Sequence, residues 1–472
     1  MSTPAHRLHG DHAVVIGAGI SGLLAARVLS PHFARVSIIE RDLLVHEAAP
    51  RKGVPQGRHV HILLRRGQSI LERFFPGLFA QMGPRKSVLV DLGHEMRWWR
   101  MGLTNTRARS GVLSQFQTRP LLEWYVRQRV RELANISFVE RSEICGLCLD
   151  DSGKVVTGVQ VRSAADKTQA ASVLTADLVV DASGRASHLP QWLQAHDYPQ
   201  PATSLVEIDF AYASRIYRRP THVSHDWKVL ICYPNPPFSK RGSYVFPIED
   251  DCWIVTHGSR LGDRPPADES GFLEFARGLT HPDVYEAIRE AEPVTSITTF
   301  RFPSNQRRHY ERLRRFPDRL IVLGDAVSSV NPIYGQGMTV CAIEALELER
   351  CLRAHALTRA AHKFRAAVGR IVELPWMLVT CEDFRYPQTK GSRPPGVDFI
   401  NWYTRKVHEL TATDAGALLT LLGVMQMERH PMSLYRPGIA LKVLAAAVRG
   451  FLSRRKASSA PQSLSHDTES SS

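Results

Sequence analysis

The sequence predicts an α/β chain: a Rossmann-like α/β domain interrupted by an antiparallel β-sheet and followed by a helical C-terminal region. Three observations predict it. A glycine-rich turn, Gly17-Ala-Gly-Ile-Ser-Gly22, stands between an apolar run and a helix-forming segment near the N-terminus. A second loop, Asn331-Pro-Ile-Tyr-Gly-Gln-Gly-Met338, comes after the apolar run Leu320-Ile-Val-Leu323 and Gly324-Asp325, and opens another helix. Between them, residues 201–300 change to short β-type runs whose turns are rich in Pro, Asn, Asp and Gly.

A chain of 472 residues suits two or three domains and a large core, and 43% hydrophobic with 22% charged residues is ordinary for a globular protein. The net charge of +14 calls for an acidic partner. The basic residues are scattered and no zinc-finger spacing or aromatic RNA-binding motif accompanies them, so nucleic acid is not expected. Cofactor phosphates or an anionic membrane surface fit better. No secretory signal opens the chain and no apolar run approaches the ~20 residues of a membrane span. The seven scattered cysteines suit a reducing cytoplasm.

Taken in order, residues 12–22 read as a strand entering Gly17-x-Gly19-x-x-Gly22, then a helix over 21–29 and a strand over 35–40 that ends on Glu40. This is the dinucleotide fingerprint in the context it requires. Gly17 makes the turn, Gly19 lets backbone approach a pyrophosphate, and Gly22 lets helix and strand pack closely. Glu40 accepts hydrogen bonds from a ribose. An acid there disfavours a 2′-phosphate, so FAD or NAD is preferred to NADP, despite adjacent Arg41. The polar loop 51–61 leads into a helix over 62–75. It carries His59 and His61; without a third ligand they are read as cofactor support, and no metal is expected. Residues 87–100 read as paired strands bearing Trp98 and Trp99, and a helix over 119–133 starts at Arg119-Pro120.

Hairpin strands over 136–161 precede a buried strand, 177–181, which ends on Asp181 before Ala-Ser-Gly184-Arg185. Cys145 and Cys148 have redox-motif spacing, but positions i and i+3 of a strand face opposite ways, so they read as separate thiols. Strands over 206–217, 228–233, 242–247, 253–257 and 294–302, with helices over 269–279 and 282–291, form the inserted layer. The strand at 320–323 then returns to the first domain. Residues 12–85, 116–200 and 301–355 thus make the cofactor domain, 86–115 and 201–300 the sheet, 356–456 a helical region and 457–472 a disordered tail. A two-faced helix over 439–452 gathers Leu441, Leu444, Val448, Phe451 and Leu452 on one side. It reads either as an interfacial membrane helix, giving peripheral membrane contact, or as a helix packed on the protein.

The three loops at 17–22, 181–185 and 324–337, in that order, resemble the class A FAD-dependent monooxygenases, the para-hydroxybenzoate hydroxylase-like family, over residues 12–355. Segments 51–63, 246–256 and 331–338 look most like its bacterial polyether-epoxidase branch. The resemblance implies that Gly17, Gly19 and Gly22 meet the FAD pyrophosphate and that Glu40, beside Arg41, meets the adenosine ribose. It places Gly324 and Asp325 at the ribityl or pyrophosphate side, and Pro332, Gly335, Gln336, Gly337 and Met338 at the flavin ring. Arg119 would begin a helix beside the cofactor, and Asp181 with Gly184 carries the middle motif. The chain departs from the family in separating Asp181 from Gly184, in Val327-Ser328 and in Thr339. The first departure leaves two sources of electrons open: NADH or NADPH directly, or a separate flavin reductase.

The chemistry implied is insertion of one oxygen atom from O2, through a flavin C4a-hydroperoxide, into a fairly large apolar small molecule of the secondary-metabolite type, by hydroxylation or alkene epoxidation. No protein nucleophile is required. Trp98, Trp99, Tyr212, Tyr244, Phe246 and Tyr334 are candidates for an aromatic pocket, with Arg215 to orient a carboxylate or phenolate; ordinary core packing is the competing reading for each. The alternatives are a reductase, dehydrogenase or halogenase of similar architecture, or a non-catalytic, membrane-associated FAD-binding protein. The halogenase motif Trp-x-Trp-x-Ile-Pro is absent.

Overall fold

The computed structural model describes residues 8–166, 168 and 170–458, with side chains except at 84–86 and 450–458. Its first layer is a five-stranded parallel sheet in the order Leu320–Val322, Leu178–Asp181, Gly10–Ile16, Phe33–Ile39, Ile136–Val139. The central strands are apolar almost throughout, as strands covered on both faces must be. Ala13, Val14 and Val15 are wholly buried, as are Leu178, Val179 and Val180. Helices Ile20–Leu29, Arg119–Arg131, Gly337–Ala354 and Leu357–Asp383 contribute to the same core.

The second layer is a nine-stranded sheet whose centre is the long strand Thr203–Arg218, paired antiparallel to Thr298–Arg308 and to Cys252–Ser259. Gly242–Ile248 and Val229–Cys232 continue it. Residues 87–100 are not one hairpin. Val88–Asp91 pairs with Leu113–Phe116 in a separate ribbon, and Met96–Arg100 joins the large sheet parallel to Val229–Cys232. The apolar alternation of 87–100 suits either pairing; Val88–Asp91 finds its partner within the next thirty residues, and Met96–Arg100 finds one more than a hundred residues on. The strand expected over 294–302 runs instead from Thr298 to Arg308.

The C-terminal helices cover one face of this sheet: Tyr403, Val407, Leu418 and Leu422 pack with Trp98, Tyr244 and Phe246. The last helix, Pro437–Ser458, buries Val443 and Ile439, whereas Leu441, Leu444 and Val448 are exposed, at 66%, 55% and 57%. The described part of the apolar stripe therefore faces outward and is not packed on the protein. Residues 457 and 458 close that helix, and the rest of the expected tail lies outside the described residues. Among the described residues no helix is long and apolar enough to cross a membrane.

Candidate cofactor cleft

The Gly10–Ile16 strand delivers the chain into the glycine turn. Gly17 takes a positive φ of 99° and donates its N–H to Ile39 at 2.8 Å. A Cβ on Gly22 would stand 1.9 Å from the Gly17 carbonyl oxygen, so the turn and helix close on each other only with glycine there. Gly19 precedes the helix Ile20–Leu29, which has no side-chain cap and no acid in its first turn. Its leading amides are therefore open to an anion. The second glycine loop repeats this arrangement: Gly335 has φ 67°, and Gly337–Ala354 begins without a side-chain cap.

Both helix starts open on one cleft of about 620 Å³, within the range of cofactor sites. Its lining includes Gly17, Gly19, Glu40, Arg41 and Arg119 together with Gly184, Asp325, Pro332, Gly335, Gly337 and Met338. Four residues expected at the cofactor do not line it. Gly22 lies beneath the turn. Gly324 turns its N–H into the core. Asp181 is wholly buried and accepts hydrogen bonds from Ser183 and Ser187, both at 2.5 Å, so it braces the middle loop from behind. Gln336 does not line the cleft either, and its buried side-chain oxygen has no protein partner.

The polar groups suit a long ligand with ribose hydroxyls at one end and phosphates between. Glu40 accepts from Ala18 N–H at 2.8 Å and Asp42 N–H at 3.0 Å and pairs with Arg51 at 3.0 Å, leaving one of its roughly four acceptor positions open. Asp325 has only a long contact, 3.5 Å, from the Ser329 hydroxyl. Burial raises its pKa, opposed by Arg119 and Arg185, and a ligand hydroxyl would satisfy the carboxylate. One guanidinium nitrogen of Arg185, at the cleft wall, also has no partner. FAD thus fits the donor and acceptor set of the cleft.

Glu344 lies behind Asp325. It is wholly buried; one oxygen accepts Gly324 N–H at 2.6 Å and the other has no partner. Burial, and beyond it the nearby Asp325, push its pKa up to about 8 against that hydrogen bond. The folded chain therefore keeps a proton that the unfolded chain releases near 4.5, and stability falls as pH rises between these values. The loss is up to about 1.4 kcal/mol per pH unit. Glu344→Gln keeps the acceptor and removes the titration, so in urea unfolding the variant should gain on the parent from about pH 5 to about pH 8. Parallel curves would count against a protonated Glu344.

Sequence reasoning missed Arg51. It is held by Glu123 at 2.8 Å, Glu40 at 3.0 Å and Asp42 at 3.4 Å, and lines the cleft. Its remaining nitrogen lies 3.8 Å from where a Gly19 Cβ would be, a suitable place to meet a phosphate. The only local signal was its place in the 51–61 loop, because Glu123 is distant in sequence. His59 and His61 part company: His59 bonds the Ser214 hydroxyl at 2.7 Å, while His61 donates to the His59 carbonyl at 2.9 Å and lines the cleft. Burial lowers their pKa values to about 4 and about 3, so both are neutral. No metal-binding group of His, Cys, Asp or Glu occurs among the described residues.

The expected aromatic pocket divides between the two faces of the sheet. Trp98, Tyr244, Phe246 and Tyr334 share the face under the C-terminal helices, and Tyr212 stands beside them with its hydroxyl bonded to Asn331. Trp99 and Arg215 are corrections. Adjacent residues of a strand face opposite ways, so Trp99 lies on the outer face, stacked on His281. Arg215 pairs with Glu269 at 3.0 Å on that outer face. Neither can reach a ligand above the cofactor cleft.

The sequence profile of the family described as FAD binding domain matches residues 12–364. Protein Rv3254 of Mycobacterium tuberculosis is 32% identical over 416 residues, which cover 82% of this chain and 84% of that protein. A kynurenine 3-monooxygenase of Salinispora arenicola is 27% identical over 377 residues, 74% of each chain. The fold matches P. aeruginosa PqsL in complex with 2-aminobenzoylacetate with a TM-score of 0.58, at 20% identity, over 80% of this chain and 97% of that one. With two open helix starts facing one cleft and a family match across most of its length, the chain belongs to the FAD-binding-domain family of class A flavin-dependent monooxygenases.

Proposed function

We propose that this enzyme inserts one oxygen atom of O2 into an apolar, secondary-metabolite-type small molecule, by hydroxylation or alkene epoxidation. One observation carries the reading: the uncapped start of Gly337–Ala354, the Asp325 carboxylate and the glycine turn all line a single cleft. FAD, when bound and reduced, supplies the electrons that activate dioxygen. The chain holds its phosphates at Gly17, Gly19 and Arg51 and its sugar hydroxyls at Glu40 and Asp325. The helix end at Gly335–Met338 favours negative charge on the ring. Phe300 and Phe302, the aromatic sheet residues at the cleft wall, help to exclude water from it. Electrons come from NADH or NADPH, directly or through a separate flavin reductase. The monooxygenase names of the kynurenine relatives support oxygen insertion over reduction alone.

Stopped-flow mixing of the anaerobically reduced holoprotein with 18O2 tests this against a panel of phenols and alkenes. A transient absorbance distinct from oxidised and reduced flavin, with one labelled oxygen in the product, is expected. Peroxide as sole product for every ligand, with no transient, would favour a reductase or dehydrogenase. The exposed stripe Leu441, Leu444 and Val448 supports a further contact, with an anionic membrane surface. Removing residues 437–472 should abolish sedimentation with anionic liposomes; unchanged binding would dismiss that contact.

A further inference from the structure

We infer that Asp383 is a positioning residue for the flavin-facing loop, through which the C-terminal helices and the large sheet fix where that loop stands. This rests on the reading that residues 331–338 meet the flavin ring. Asp383 ends the helix Leu357–Asp383, is wholly buried, and does not line the cleft. One carboxylate oxygen accepts from the Tyr334 hydroxyl at 2.6 Å and from Arg260 at 2.9 Å. The other accepts from the Asn305 side-chain amide at 2.7 Å. Asn305 in turn accepts the Asn331 backbone N–H at 2.7 Å. Both ends of the turn 331–334 are therefore tied to one carboxylate, Tyr334 directly and Asn331 through Asn305.

The donors come from separate parts of the fold. Arg260 follows the sheet strand Cys252–Ser259, Asn305 lies on Thr298–Arg308, and Tyr334 belongs to the loop. A carboxylate is suited to gathering three donors because it carries no hydrogen of its own; an amide would set an N–H against one of them. The Arg260–Asp383 pair is buried on both sides, at 2% and 0% exposure. Such pairs add little net stability against apolar replacements, and their best-attested use is to fix a register. Here the register is that of a loop leading into an uncapped helix start, whose influence on a nearby charge fades within about one turn. A small displacement of 331–337 would thus weaken its hold on a reduced, anionic ring more than on an oxidised one.

Asp383→Asn and Tyr334→Phe test this; the second leaves the ion pair intact and guards against a variant that only misfolds. Hydrogen exchange of residues 329–338 in FAD-free protein, the affinity for FAD, the flavin midpoint potential and thermal unfolding would be measured. Faster exchange at 329–338 is expected in both variants. Asp383→Asn should lose about tenfold more affinity for reduced than for oxidised FAD, a potential lower by about 30 mV. Tyr334→Phe should shift the same way by less, with its unfolding temperature close to the parent's. Unchanged exchange and potential in Tyr334→Phe, with Asp383→Asn merely unfolding, would overturn the inference. Faster exchange with an unchanged potential would instead overturn the reading that this loop meets the ring.

Discussion

Replacing Asp325 by alanine should yield protein that purifies without yellow flavin, with affinity for FAD reduced by at least about a hundredfold. That corresponds to about 3 kcal/mol, the scale of one or two hydrogen bonds to a charged acceptor. The same variant should lose no stability as apoprotein. Asp325 is raised in pKa by burial and its own chain offers it only a 3.5 Å contact from Ser329. Its charge therefore costs the folded apoprotein more than its contacts return. Flavin content and apoprotein unfolding, measured together, check both halves. A variant with full FAD occupancy would remove Asp325 from the site, and one that loses flavin because it is unfolded would make the residue structural.

Gly22→Ala should abolish FAD binding by a different route. The added methyl would lie 1.9 Å from the Gly17 carbonyl oxygen, which is backbone in a turn that cannot rotate away. The start of Ile20–Leu29 must then retreat from the turn, carrying its open amides away from the pyrophosphate position. Overpacking of this kind costs about 1–3 kcal/mol of stability, and the displaced amides lose most of the anion contact. FAD titration and urea unfolding should both move, unlike in Asp325→Ala. Gly184→Ala is a useful contrast, since nothing lies within 4 Å of its added Cβ and only its φ of 84° opposes the change. Normal flavin affinity in Gly22→Ala would mean that helix and turn are less closely coupled than the geometry states.

Much of the cofactor end was legible in the sequence because its determinants are local. Gly17, Gly19 and Gly22 act through backbone conformation within six residues, and Glu40 ends the very next strand. The second loop was legible for the same reason: Gly335 and Gly337 set the backbone that opens a helix, and Asp325 follows the strand before it by three residues. Asp181 had the same strand-end signature yet faces Ser183 and Ser187, because which way a terminal carboxylate turns depends on the hydroxyls that follow. Its spacing from Gly184 was the visible sign of that difference.

The substrate side was less legible. Trp98 and Trp99 are equally aromatic, and only the pairing of Met96–Arg100 with Val229–Cys232 decides which one faces the C-terminal helices. Arg51 and Asp383 were invisible as site residues. Arg51 has near partners in Glu40 and Asp42, but Glu123, and for Asp383 the partners Tyr334, Asn305 and Arg260, lie tens of residues or more away and meet only on folding.

By itself the sequence determined that a parallel α/β layer carries two glycine loops able to hold FAD, with an antiparallel sheet inserted between them and helices after. Periodicity, turn chemistry and strand-end acids are short-range properties, and they survive in a one-dimensional reading. Only the tertiary structure decided that both loops open on one cleft, which strand of the large sheet lines it, and that a carboxylate from the C-terminal helices holds the turn 331–334. Those facts depend on long-range strand pairing and on buried charges finding partners, which are settled when the layers pack.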